Sequence, residues 1–140
     1  MEREYIAEWF QYADMDLASA EHLQSMRPQP LEIICFLCQQ SAEKNLKGYL
    51  ICKTATEPPK THDLIFLNNK CLDIDERFSS IDKACGVLNR YGVQPRYPNE
   101  LGITENDMQK ALEYARLVRD FEPLAEVRRE TNQSDDDVTV

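Results

Sequence analysis

The chain has 140 residues, of which 42% are hydrophobic and 29% charged, and its formal net charge is −9. This length and balance fit a single globular domain with its own hydrophobic core, while the small number of glycines argues against a turn-rich all-β fold and no apolar run is long enough to span a membrane. The acidic balance excludes binding of duplex DNA through a broad basic surface, so any contact with nucleic acid has to be local.

Hydrophobic residues at spacings of three and four predict amphipathic helices in the first half of the chain. The first helix covers residues 2–26 and ends before Pro28 and Pro30. The second covers residues 31–54, and its wide apolar side indicates that it is central. A short third helix near residues 63–71 begins at the sequence Thr-His-Asp-Leu, where Thr61 or Asp63 is a suitable N-cap.

The second half of the chain continues the helical pattern. A fourth helix is predicted over residues 76–90, and a loop follows, because Gly92, Pro95 and Pro98 interrupt the period. The last helix runs from about residue 104 to about Arg129, with a kink or break at Pro123. Short connections between long helices favour antiparallel neighbours, so the predicted fold is an all-α, antiparallel up-and-down bundle of four long helices and one short one.

Residues 131–140 differ from the rest of the chain. They contain three consecutive aspartates, no aromatic residue and no helical period, which is typical of a disordered segment. The predicted organisation is therefore one helical bundle domain over residues 1–130 and an acidic tail over residues 131–140.

The helical pattern also predicts which side chains form the core. We expect eight large residues to be mostly buried: Trp9, Leu17, Leu37, Leu46, Tyr49, Leu50, Leu88 and Leu112.

The five cysteines and the N-terminus indicate a reducing compartment. The chain begins Met-Glu-Arg-Glu-Tyr without the basic and apolar regions of a signal peptide, so we expect a cytoplasmic protein with reduced thiols. Cys35 and Cys38 form a C-x-x-C pair, but no second pair and no H-x-x-x-H completes a zinc site. We therefore expect buried structural thiols, and neither a metal nor a cofactor.

A polar cluster lies on the predicted central helix. Gln40, Lys44 and Lys47 share one helical face, and Glu43 lies next to them. A polar stripe of this kind is either an ordinary solvated face or a surface that binds a ligand.

Two further polar groups lie in predicted turns and loops. His62 stands beside Asp63, where it either supports a helix cap or acts as a titratable group. Arg96 and Tyr97 lie in the proline-bounded loop, where a guanidinium can bind phosphate and a ring can stack on a base. The alternative is that Arg96 pairs with a carboxylate of its own bundle.

Four sequence motifs occur in an order that matches a known family. They are the stretch from Trp9 through Asp16-Leu17 to Ala20, the run Gln39-Gln40-Ser41-Ala42-Glu43-Lys44-Asn45-Leu46-Lys47, the sequence Thr61-His62-Asp63-Leu64, and Leu88-Asn89-Arg90-Tyr91 followed by Arg96-Tyr97-Pro98. Together they resemble the HEPN domain (higher eukaryotes and prokaryotes nucleotide-binding) over roughly residues 4–125.

The resemblance implies a small helical bundle that forms a homodimer and often accompanies a minimal nucleotidyltransferase. Many members of the family are toxin-like ribonucleases of toxin–antitoxin systems, with an R-x(4–6)-H motif. Arg96 matches the arginine of that motif, but the positions for its histidine hold Leu101, Gly102 and Ile103. A ribonuclease of that type needs a general acid or base there, and this sequence has none at that place.

Three hypotheses follow. The preferred one is a non-catalytic module that binds a nucleotide, a short RNA or a nucleotidyltransferase partner, with Arg96, Tyr97, Gln40, Glu43, Lys44 and Lys47 at the site. The second is a metal-independent endoribonuclease in which His62 acts with Arg96 as a displaced acid or base. The third is a structural interaction protein whose polar motifs only hold the bundle together.

Overall fold

The computed structural model describes residues 2–93 and 102–138, with side chains described as far as residue 132. Its elements are α1 (Arg3–Leu23), α2 (Leu31–Thr54), α3 (Leu64–Ile74), a 3₁₀ helix (Glu76–Ile81), α4 (Asp82–Asn89), α5 (Glu105–Asp120) and α6 (Glu122–Val138). No strand occurs in these two ranges. The prediction of an all-α fold is confirmed.

Helix α2 is the centre of the molecule. It packs against α1, α3, α4, α5 and α6, with its largest contact against α1. Because neighbours surround it, α2 buries apolar residues such as Ile34, Leu46 and Ile51 together with polar ones such as Asn45. The prediction of a central second helix is confirmed. Because other helices pack against several of its sides, many of its polar side chains are buried as well.

Two predicted helices are divided in the structure. The fourth begins as the 3₁₀ helix, in which the Asp75 carboxylate caps the N–H of Arg77, and becomes α-helical only at Asp82. The last helix breaks at Phe121, between α5 and α6. Pro123 falls in the first turn of α6, where a missing backbone N–H costs nothing, so the predicted break is confirmed.

The end of α6 differs from the expected disordered tail. The helix continues to Val138, beyond the predicted end near Arg129. Thr131 is buried, and its hydroxyl donates a 2.8 Å hydrogen bond to the carbonyl of Val127, which continues the packed face of α6 past residue 129. The division of the chain at residue 130 stays a prediction.

Most of the predicted core is buried as expected. Six of the eight expected residues are buried, namely Leu17, Leu46, Tyr49, Leu50, Leu88 and Leu112. Trp9 and Leu37 are less deeply buried than these six and pack against the core as partly buried side chains. Trp9 lies at the margin of the α1–α2 contact, where its ring meets the edge of Tyr5 and not the interior.

The cysteines of the C-x-x-C pair lie in the core. Cys35 and Cys38 are fully buried, as are Cys71 and Cys85, which confirms the prediction of structural thiols at these four positions. Burial raises the pKa of Cys35 to about 12, so this thiol is neutral and unreactive near neutral pH. Cys52 is half-buried. No helix within the described ranges is long and apolar enough to cross a membrane.

Leu46 provides a test of the core. Its side chain is fully buried on α2, so Leu46→Ala should lower the free energy of unfolding by about 2–5 kcal/mol. The control is Leu117→Ala on α5, whose side chain is 44% exposed and should change stability by no more than about 0.5 kcal/mol. Urea denaturation followed by circular dichroism measures both. Equal effects of the two substitutions would contradict the assigned faces of α2 and α5.

Candidate functional site

The turn at residues 61–64 is built by local capping. The Asp63 carboxylate accepts hydrogen bonds from the backbone N–H groups of Ile65 and Phe66, at 3.0 and 3.3 Å, and so caps α3. The Thr61 hydroxyl accepts a 3.1 Å bond from the N–H of Asp63. The predicted N-cap is confirmed for Asp63, and Thr61 shapes the turn before it.

Side chains of α2 and α4 hold this turn from the inside. The buried Gln39 side chain donates a 2.9 Å hydrogen bond to the carbonyl of His62, and Gln40 donates in turn to the Gln39 oxygen at 2.7 Å. The Asn89 side chain accepts a 2.9 Å bond from the N–H of Leu64. The turn is thus fixed to α2 and to the end of α4 through hydrogen bonds to its own backbone.

Glu43 is the central charged group of the site. One carboxylate oxygen lies 2.9 Å from His62 Nδ1, and the other lies 3.1 Å from Lys47 Nζ. The Glu43 and Lys47 side chains are only 6% and 9% exposed, whereas the His62 side chain is 73% exposed. A buried carboxylate therefore holds an imidazole whose other nitrogen faces solvent, an arrangement that we call the Glu43–His62 pair.

The Lys47 side chain is almost completely shielded from solvent. Its ammonium lies 5.9 Å from the centre of the Trp9 ring, in addition to its bond with Glu43. Burial of an ion pair is tolerated where each charge meets its partner and further favourable contacts, and the carboxylate and ring supply these.

The polar stripe on α2 is only partly exposed, so it is not a uniform solvated face. Lys47 and Glu43 are buried, so the interpretation as a plain solvated face is wrong for them. Lys44 is partly exposed and forms an ion pair with Asp16 of α1. Gln40 is half-buried against Gln39. The stripe mainly connects α2 to α1 and to the turn at residues 61–64.

Arg96 and Tyr97 lie outside the described residues. The predicted proximity of Arg96 and His62 therefore stays a prediction. Gly92, which precedes their segment in the chain, lies beside the site. A Cβ atom at Gly92 would lie 3.4 Å from the side-chain amide nitrogen of Gln39. The hypothesis that Arg96 lies near α2 stays a prediction.

The sequence pattern groups Gln39 with the polar cluster of α2 but does not assign it to the site, and it does not indicate Asn89 at all. Gln39 falls on the apolar side of the helical period, where a polar residue is a signal of a buried hydrogen bond. Asn89 carries no such signal, since an asparagine at the end of a helix is common. Its role depends on the tertiary contact between α4 and the start of α3, where it also donates a 3.2 Å bond to Asp63.

The chemistry available at the site comes from the imidazole. Because the Glu43 carboxylate only accepts, Nδ1 of His62 donates to it, so the second ring nitrogen accepts a hydrogen bond when the ring is neutral and donates to a phosphate oxygen only when the ring is protonated. Within the described ranges, no group of three or more His, Cys, Asp or Glu side chains is placed to hold a metal ion.

Comparison with known proteins agrees with the fold. A model of the HEPN domain matches residues 6–126. The crystal structure of TT1696 from Thermus thermophilus superposes with a TM-score of 0.66 at 22% identity, covering 89% of this chain and 96% of that chain. ST0689, an archaeal HEPN homologue, superposes with a TM-score of 0.66 at 22% identity, covering 94% and 99%. No curated protein matches the sequence. At this identity, the two structures show a shared fold.

The buried ion pair predicts a non-additive effect on stability. Glu43→Gln leaves the Lys47 ammonium buried without its carboxylate, so the free energy of unfolding should fall by about 3–5 kcal/mol. Adding Lys47→Met removes the stranded charge and should recover part of that loss. The control is Arg129→Gln, which breaks an exposed ion pair with Glu122 and should cost no more than about 1 kcal/mol. Urea denaturation measures the two single variants, the double variant and the control, and simple additivity would contradict the role of this pair.

Proposed function

The chain belongs to the HEPN domain family, and on that basis we propose that it is a homodimeric module that binds a nucleotide or a short single-stranded RNA without catalysing a reaction. The observation that carries the proposal is the Glu43–His62 pair, in which an exposed imidazole is held in place by a buried carboxylate. A ligand group fixed before binding loses little freedom when the ligand arrives, which favours affinity.

The charge distribution supports a small, phosphate-bearing ligand. The protein carries a net charge of −9, so a long polyanion would be repelled over most of its surface. At the site, the buried Lys47 neutralises Glu43, which removes the repulsion that this carboxylate would otherwise exert on a phosphate. In its protonated form, His62 can then donate to a phosphate oxygen through its second ring nitrogen.

Arg96 and Tyr97 complete the proposed site. The guanidinium would bind phosphate in a forked geometry, and the ring would stack on the base. Gly92, which lies against Gln39, starts the segment that carries them. Arg96 follows Gly92 closely along the chain, so at no more than about 3.6 Å per residue it stays within reach of the site. Gln40 and Lys44, at the partly exposed edge of α2, are the remaining proposed contacts.

Nucleotide binding is tested by calorimetry with mono- and dinucleotides. Arg96→Ala should weaken binding by about 1.5–3 kcal/mol, the scale of a hydrogen bond to a charged group, and His62→Asn should weaken it as well. The matched control is Lys110→Ala, which removes a half-exposed cation of α5 and should leave binding unchanged. Equal binding by the wild type and all three variants, or binding by none, would leave the third hypothesis, a structural interaction protein.

A second candidate function is favoured by the same pair. A carboxylate on one imidazole nitrogen fixes the orientation of the ring, which is how a general acid or base is commonly positioned. A metal-independent ribonuclease would use His62 in this way. Incubating the same proteins with single-stranded RNA in the presence of EDTA separates the candidates, since cleavage that is lost in His62→Asn but kept in Lys110→Ala would replace the binding module with the enzyme.

Dimerisation is proposed from the family and from the general prevalence of two-fold symmetric homodimers. A stable interface should bury at least about 1,000 Å² in total. Sedimentation equilibrium at tens of micromolar should therefore give twice the mass of 16.3 kDa. A pure monomer at that concentration would contradict the dimer. A minimal nucleotidyltransferase is the further protein partner that we propose.

A further inference from the structure

A pocket lined by aromatic side chains includes Trp9, whose ring centre lies 5.9 Å from the Lys47 ammonium. Tyr5, Trp9 and Tyr12 of α1, together with Glu8 and Lys44, line a cavity of about 310 Å³, which we call the α1 pocket. The spacing of four and three residues places the three rings on one face of the helix. Tyr12 is 57% exposed, and Met15 continues the apolar surface one turn further along at 61%.

Two of the rings are held in place by contacts outside the pocket. The Tyr5 hydroxyl donates a 2.8 Å hydrogen bond to Glu57, which also raises the pKa of this tyrosine. The Tyr5 and Trp9 ring centres lie 6.3 Å apart with their planes at 84°, an edge-to-face contact. The Lys47 ammonium lies 5.9 Å from the Trp9 ring. The walls are therefore ordered before any ligand binds.

The charges around the α1 pocket favour a cation. Lys44 is the basic residue of the lining, and its ammonium forms an ion pair with Asp16. The Glu57 carboxylate accepts the hydrogen bond of the Tyr5 hydroxyl and adds a further negative charge near the pocket. Glu8 lies on the rim and has no ion pair within the described part of the chain. The pocket thus combines π faces with an uncompensated carboxylate, the two features that attract an organic cation.

We propose that the α1 pocket binds an arginine side chain presented by another protein. A guanidinium is planar, stacks on aromatic rings and donates two parallel hydrogen bonds to a carboxylate, so it matches both the rings and Glu8. Exposed aromatic residues and methionine are enriched at protein interfaces, which fits Tyr12 and Met15 as the surroundings of such a contact. This inference does not depend on the nucleotide site.

Other occupants fit the charges less well. A nucleotide would stack on the rings, but its phosphate would meet the Glu8 carboxylate, while Lys44, the cation of the lining, is already paired with Asp16. A second copy of the chain docked through the same face would place two Glu8 carboxylates in one interface, because a two-fold axis uses the same surface of both protomers. Like charges across an interface oppose association, so an arginine-bearing partner is favoured.

The experiment uses the single tryptophan of the chain as a reporter. Since Trp9 is the only tryptophan and forms a wall of the pocket, its fluorescence responds to occupancy without any label. The probe is an acetylated and amidated Ala-Arg-Ala peptide, titrated into the full-length protein at constant ionic strength. The matched probe contains citrulline in place of arginine, which keeps the planar shape and removes the charge.

The expected result is a saturable change of Trp9 emission with the arginine peptide and none with the citrulline peptide. Glu8→Gln should weaken binding at least about tenfold, since it removes a charged hydrogen-bond partner. Tyr12→Leu should weaken it about two- to fivefold, the scale of one cation–π contact. Glu4→Gln, which removes an exposed carboxylate of α1 outside the pocket lining, is the control and should bind like the wild type.

Three outcomes would overturn the proposal. The first is an equal response to the arginine and citrulline peptides, or a response to neither. The second is an emission change with AMP that exceeds the change with the arginine peptide, which would indicate a nucleobase as occupant. The third is an emission change on dilution of the protein alone, which would indicate a second copy. Circular dichroism of each variant verifies that the helices are retained, so that a lost response reports on the pocket.

Discussion

The buried carboxylate of Glu43 is the interaction on which the rest of the site depends. A charged group inside a protein is costly unless it is paired, and Glu43 meets this requirement with Lys47 on one oxygen and His62 on the other. The contact with His62 connects the central helix α2 to the turn that begins α3, whereas the contact with Lys47 lies within α2. The same carboxylate therefore stabilises the packing of the bundle and determines where an exposed imidazole stands.

This arrangement places a functional group on a rigid support. The backbone of the turn at residues 61–64 is held by Gln39 from α2 and by Asn89 from α4, so His62 cannot move far without breaking several hydrogen bonds. Sites supported in this way keep their geometry when the ligand is absent. Lys47 links this site to the α1 pocket, because its ammonium also lies near the ring of Trp9, which forms a wall of that pocket.

Helical periodicity was a sufficient guide to most of the fold. It identified the all-α class, the central position of α2, the N-cap Asp63 and the break next to Pro123, because each depends on local rules of backbone geometry and on which face is apolar. Periodicity was a poorer guide where contacts between helices determine which side chains are buried. Trp9 has the spacing of a core residue but lies at an edge, and α6 continues past residue 129 because Thr131 is buried in the packed bundle.

The same distinction between local pattern and tertiary packing applies to the candidate site. The residue types and their order along α2 and in the Thr-His-Asp-Leu sequence are properties of the sequence, and they determined which residues to suspect. Only the tertiary structure decided which of them are buried, since an i, i+4 pair such as Glu43 and Lys47 has the same local geometry on a solvated face as in a core. The packing of α1 and of the turn against α2 closes water off from that pair and leaves His62 exposed. Burial depends on contacts between segments that are distant in the chain, and a local pattern contains no information about them.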